Sequence, residues 1–219
     1  MSVSKLTFSQ AVREAIARKL DIICMSWLAH GTNYDVKRFS DALKKASELG
    51  IVMFCVAWDG DATQSGQFVY PAKFKIPNLY RVGAVFGDEW PSAEVRLKRN
   101  IDIILPGQSD IGDETTNIKV PGIAPAIATG LAGLILYCAS IVGPLSYKSS
   151  VAENHVIISG FVSYVKRRQD VEQNLSTSAG WDGFENVVRD AHDHSRRVQL
   201  DLVREMLNQF LSAAERTAD

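Results

Sequence analysis

With 219 residues, 46% of them hydrophobic and 22% charged, the chain is long enough to bury a full core and suits one domain with or without an appendage. A formal net charge of −1 gives no basis for electrostatic capture of nucleic acid or of an anionic membrane surface. The three cysteines, Cys24, Cys55 and Cys138, sit in apolar runs at unrelated spacings, which fits reduced core thiols rather than a disulfide framework or a zinc pattern.

The opening segment carries Val12, Ala15, Ile16 and Leu20 at three- and four-residue spacing, which predicts an amphipathic helix. It holds no apolar core of signal-peptide length, so a cytoplasmic setting is expected. Asp21 leads into IICMSW, an apolar run of strand length. Val36, Phe39, Leu43 and Ala46 then form a second helical stripe that Gly50 ends. The run IVMFCVA (51–57) lacks alternation, as expected of a strand covered on both faces. Residues 80–85 and 101–105 are further strand candidates, the second stopped by Pro106-Gly107. Helix and strand alternating at this spacing predict an α/β fold, a mainly parallel sheet with flanking helices.

Residues 120–147 carry no charge, and their length alone would span a bilayer. Pro121, Gly122 and Pro125 crowd one end, while Gly143 and Pro144 stop the other. The continuous apolar core, 127–142, is short for a span and suits a central helix buried on all sides. A membrane is therefore not an expected partner. Beyond Pro144 the character changes, and a division into 1–144 and a C-terminal extension, 145–219, is expected. HVIISGFVSYV (155–165) reads equally as strand or helix, and NLSTSAG (174–180) as a loop. A last helix is predicted over 196–215, with Leu200, Val203, Leu207, Phe210 and Leu211 on one stripe, packed on the body or against a partner.

Candidate chemistry is sparse. His192-Asp193-His194 has metal-ligating residue types, but on a helix residues two apart point to different sides. No phosphate-cradle motif follows a strand, so no metal or cofactor is expected. Ser26, Ser140 and Ser159 have no base nearby in sequence.

The most informative stretch is VPGIAPAIATGLAGLIL (120–136). It resembles the serine segment of the subtilisin-like serine peptidases, G-T-S-M-A followed by small residues and a closing A-G, which runs into a buried apolar helix. Upstream blocks resemble the same family in family order. AVREAIARKLDIICMSW (11–27) is similar to its helix and D-V-I-N-M-S strand, and ELGIVMFCVAWDGD (48–61) to its V-x-A-A-G-N unit. YPAKFKIPNLYRVGAV (70–85) resembles its Y-P-A and V-I-x-V-G-A run, and NIDIILPGQSD (100–110) its D-(I/V)-x-A-P-G loop. LAGLILYC (131–138) is closest to the intracellular fungal branch. Residues 145–219 carry no such resemblance.

The resemblance implies a partial, subtilisin-like domain whose chemistry is missing. Gly122 stands at the nucleophile position, with Ala124 and Gly130 on the motif's alanine and closing glycine. Asp59 stands where the family has its oxyanion asparagine. Loss of that neutral donor in subtilisin itself costs about 3–4 kcal/mol, and an anion there should be worse. The family's aspartate and histidine belong to D-(S/T)-G and H-G-T-x-V segments upstream of the part resembled, so neither is expected here. His30-Gly31-Thr32 spells part of the histidine motif but follows the MSW strand, out of chain order. Ser26, Trp27 and Leu28 match the groove edge that pairs with an extended peptide. Val56, Ala57 and Trp58 match the wall of the main specificity pocket, where an indole at the usual glycine would fill the space.

The expected function is thus a catalytically silent binding or scaffold module with a protein or peptide along the retained sheet edge. The alternative is a serine endopeptidase portion of a longer polypeptide that supplies the aspartate and histidine. A third reading is a fragment that folds only within a larger chain, because missing upstream strands would expose a sheet edge.

Overall fold

A computed structural model describes residues 7–28, 33–57, 70–86, 100–109, 118–119, 121–142, 153–171 and 196–215. Helix α1 (Phe8–Ala17) starts at a capping box. Thr7 accepts from the Gln10 backbone N–H, and the Gln10 side chain accepts from Thr7 N–H at 2.7 Å. It ends in a Schellman turn, with Leu20 N–H bonded to Ala15 O and Lys19 held at φ 53°. The helical stripe predicted through Leu20 therefore stops short, and Leu20 lies outside the helix, 45% exposed. Helix α2 (Asn33–Glu48) ends by the same device, with Gly50 at φ 76° and Ile51 N–H on Ala46 O.

The chain has an α/β fold: a four-stranded parallel sheet flanked by helices. Its strands are β1 (Ile22–Met25), β2 (Val52–Val56), β3 (Leu79–Val85) and β4 (Ile103–Pro106), side by side in chain order. The register pairs Ile22 with Val52, Met53 with Leu79 and Val82 with Ile103. Every β2 residue is buried, as the lack of alternation in 51–57 predicts. The predicted last strand is shifted: Ile101 precedes it, and Pro106 closes it rather than stopping it. Pro106 can do so because its missing N–H falls on an edge strand, where no ladder bond is lost. A short antiparallel pair, β5 (Gln108–Ser109) and β6 (Ile118–Lys119), follows.

Alternate residues of the strands face two cores. Met25, Met53 and Cys55 pack with Val12 of α1 and with Phe39, Leu43 and Ala46 of α2. Val52, Phe54, Val82, Ile103 and Leu105 pack with α3 (Ile123–Val142), α4 (Glu153–Val171) and α5 (Arg196–Glu215). This second core draws on residues from both sides of the 144/145 division. The ambiguous 155–165 run is helical, within α4. Gly160 lets α4 and α5 approach so closely that a Cβ there would run into the Phe210 carbonyl. Leu207, Phe210 and Leu211 are buried in that contact, so the stripe of the last helix faces its own protein.

Helix α3 lies across the sheet and α5, and Arg204 donates to the Val142 carbonyl at 3.3 Å. Among the described residues it is the one helix long and apolar enough to cross a membrane, with a mean hydropathy of 1.9. It is not buried on all sides. Ala128, Ala132 and Ile135 face the core at or below 1% exposure, whereas Leu134, Tyr137 and Ile141 are exposed.

Two polar links close the far side of the sheet. Arg81 makes a bidentate pair with Asp102, at 2.8 and 3.0 Å, and Asp102 also accepts from Arg81 N–H at 2.7 Å. Burial works against the Arg81 cation, but the Asp102 hydrogen bonds and charge outweigh it, so its pKa is raised. On α4, the Gln169 amide donates to Ile104 O at 2.7 Å and accepts from Ile104 N–H at 3.2 Å. It occupies the outer edge of β4 as a strand would.

Candidate functional site at the C-terminal ends of the strands

In a parallel sheet, binding chemistry gathers beyond the carboxyl ends of the strands. The described residues among those singled out by sequence lie there. Ser26, Trp27 and Leu28 follow β1 directly, Val56 ends β2 with Ala57 just after it, and Gly122 immediately precedes α3. Pro125 sits in the first turn of α3, where its missing N–H costs no helical bond.

Gly122 and Ser26, nearly a hundred residues apart in sequence, are in contact. A Cβ built on Gly122 would stand 2.8 Å from the Ser26 carbonyl oxygen and 3.4 Å from Ser26 Cβ. The obstacle is backbone, not the end of a flexible side chain, so a side chain at 122 requires the chain to move. The Ser26 carbonyl thus lies at the N-terminus of α3, where unpaired N–H groups carry partial positive charge.

Among the described groove residues, Trp27, Val56 and Ala57 do not line an open cleft. Trp27 stacks on Phe8 with ring centroids 4.1 Å apart and an interplanar angle of 17°, and it lies 5.8 Å from Phe39. Its indole belongs to the aromatic core beneath α1 and α2 rather than to a peptide channel. Val56 and Ala57 are buried, at 3% and 4% exposure, and Ala57 packs with Val85, Ile101 and Ile104. Trp58, Asp59, His30, Gly31 and His192 to His194 lie outside the described residues.

Ser26 is exposed, and its Oγ lies 3.1 Å from Cys24 Sγ. The two side chains share a strand face because they are two residues apart, a pairing the alternation of a strand could have disclosed. A thiol is no general base for a serine. The one histidine among the described residues, His155, lies at the other end of the sheet, beside the N-terminal ends of the strands. Cys55 is fully buried on β2, and burial pushes its thiol up to about 12, with Arg81 opposing and Asp102 and Cys24 adding to the rise. It is a packing group, not a nucleophile. Tyr80 is likewise raised by burial, against a hydrogen bond with Ser159. No group of three or more His, Cys, Asp or Glu among the described residues could hold a metal ion.

Among the described residues at this end of the sheet, no nucleophile and base lie within reach of each other. The sheet's open feature is the outer side of β1. Among the described residues no strand pairs there, and Ile22, Ile23 and Cys24 are only half-buried. Val52 N–H bonds to Asp21 O, so the β1 residues whose N–H and C=O point away from β2 are Ile22 and Cys24, continued by Ser26. No protein-family model matches the chain, and comparison with curated proteins gives no significant match.

Proposed function

We propose that this chain is a degenerate subtilisin-like serine peptidase domain that is catalytically silent and serves as a protein-binding module, taking an extended segment along the outer side of β1. The observation that carries the reading is the contact between Gly122 and the Ser26 carbonyl. The residue at the nucleophile position has no side chain, and the space for one is filled by backbone. The resemblance places nucleophile and groove edge together, and their juxtaposition at the strand ends supports it. The same contact counts against the alternative of a peptidase portion completed by a longer chain, because supplying a base leaves nothing for it to deprotonate. A cytoplasmic, reducing setting belongs to this reading and fits three unpaired cysteines, one of them fully buried.

The binding half is tested by selecting extended peptides from a displayed library against the full chain, then measuring amide hydrogen exchange with and without the best binder. The bound peptide should protect the outward amides of Cys24 and Ser26. Cys24→Pro, which removes an outward donor without touching the β1–β2 ladder, should abolish that protection. Binders that protect only distant amides, or that bind the proline variant equally well, would overturn the assignment to β1.

A further inference from the structure

The opposite end of the sheet carries a cleft. It measures about 720 Å³ and opens where β2 and β3 begin, between the last turn of α2, residues 76–78 and His155. That volume suits a small organic ligand. The wall is mainly apolar, from Leu49, Ile76 and Pro77, with a few polar groups at fixed places.

The polar groups are not equivalent. Ser47 Oγ donates to Pro77 O at 2.7 Å, and Asn78 Nδ2 donates to Ser47 O at 3.3 Å, so both are committed to the wall. Glu48 is paired with Lys45, with Nζ and Oε2 3.1 Å apart. Lys44 has no ion-pair partner among the described residues, which leaves a cation at the cleft. His155 adds a second, independent sign. Its Nδ1 is shut off from solvent and has no hydrogen-bond partner. An unpaired polar atom in such a place costs about 1–3 kcal/mol. The same side chain lines the cleft, so a ring rotation that offered this nitrogen to a ligand would relieve that cost.

Two of the carbonyls at the end of α2 are already occupied, Ala46 O by Ile51 N–H and Ser47 O by Gly50 N–H and Asn78. His155 lies in the first turn of α4, whose N-terminal end favours negative charge.

We propose that this cleft binds a small monocarboxylate with an apolar tail, the tail against Leu49, Ile76 and Pro77 and the carboxylate between Lys44 and His155. It stands apart from the β1 edge and does not depend on that reading. The test is an amide NMR titration of the full chain with sodium hexanoate and, separately, with 1-hexanol. Hexanoate should give saturable shifts at Gly50, Asn78 and His155 and bind more tightly than the alcohol. Lys44→Gln, an exposed substitution that leaves the core intact, should weaken hexanoate about tenfold, the size of one charge-assisted hydrogen bond, and leave the alcohol unchanged. His155→Phe should also weaken hexanoate. Absence of saturable shifts at these amides, equal binding of acid and alcohol, or unchanged hexanoate binding by Lys44→Gln would overturn the proposal.

Discussion

At the residue scale, Gly122 decides what the strand ends can do. Its Cβ position is taken by the Ser26 carbonyl, so even the smallest side chain forces backbone apart. Gly122→Ala should lower unfolding free energy by about 1–3 kcal/mol, the usual cost of overpacking. Urea denaturation of the two proteins measures it. Equal midpoints would mean the loop yields freely and the position is not closed. Cys55 gives a second handle. Its thiol is raised from 9.0 to about 12 in the folded chain, so the native state holds a proton that the unfolded state releases first. The stability associated with it is complete below pH 9 and is lost as pH rises from 9 toward 12, at about 1.4 kcal/mol per unit. Cys55→Ala, although less stable overall for its lost packing, should therefore show a shallower alkaline decline. Parallel stability-versus-pH curves would contradict a buried, proton-holding thiol.

At the element scale, hydrophobic spacing made much of the fold legible. The stripe of Phe39, Leu43 and Ala46 ending at Gly50, and the unbroken apolar run that becomes β2, depend on side-chain burial and backbone freedom, both written locally. Other boundaries were not. Lys19 takes the left-handed φ that ends α1, and lysine gives no signal for it. The capping box of Thr7 and Gln10 was present in the sequence as T-x-x-Q but lies ahead of the apolar stripe that drew attention. Residues 155–165 could not be resolved by pattern because both faces of α4 meet apolar neighbours. At the site, the resemblance located Gly122 and Ser26 but not the turn of Trp27 onto Phe8, which depends on where α1 packs. Gln169 was also invisible, since its role exists only once β4 lies beside α4. It can be tested at that edge. Gln169→Leu should unpair Ile104 N–H and C=O, cost about 1–3 kcal/mol and speed exchange of the Ile104 amide. Unchanged protection of that amide would show the edge to be closed by another group.

At the scale of the whole molecule, the two edges of the sheet are treated differently. The β4 edge is closed from within by Gln169, while β1 presents Ile22, Cys24 and Ser26 outward beside the N-terminus of α3. In the proposed reading, an edge with no pairing strand among the described residues, beside a glycine at the nucleophile position, would hold an extended chain without cutting it. The most direct check of that claim is labelling of the purified full chain, native and heat-denatured, with a fluorophosphonate probe that captures activated serines. The expected result is no labelling beyond the denatured control, for the natural chain and for Gly122→Ser alike. Labelling of the native chain that heat abolishes would mean that a serine is activated after all, and the domain would be an enzyme.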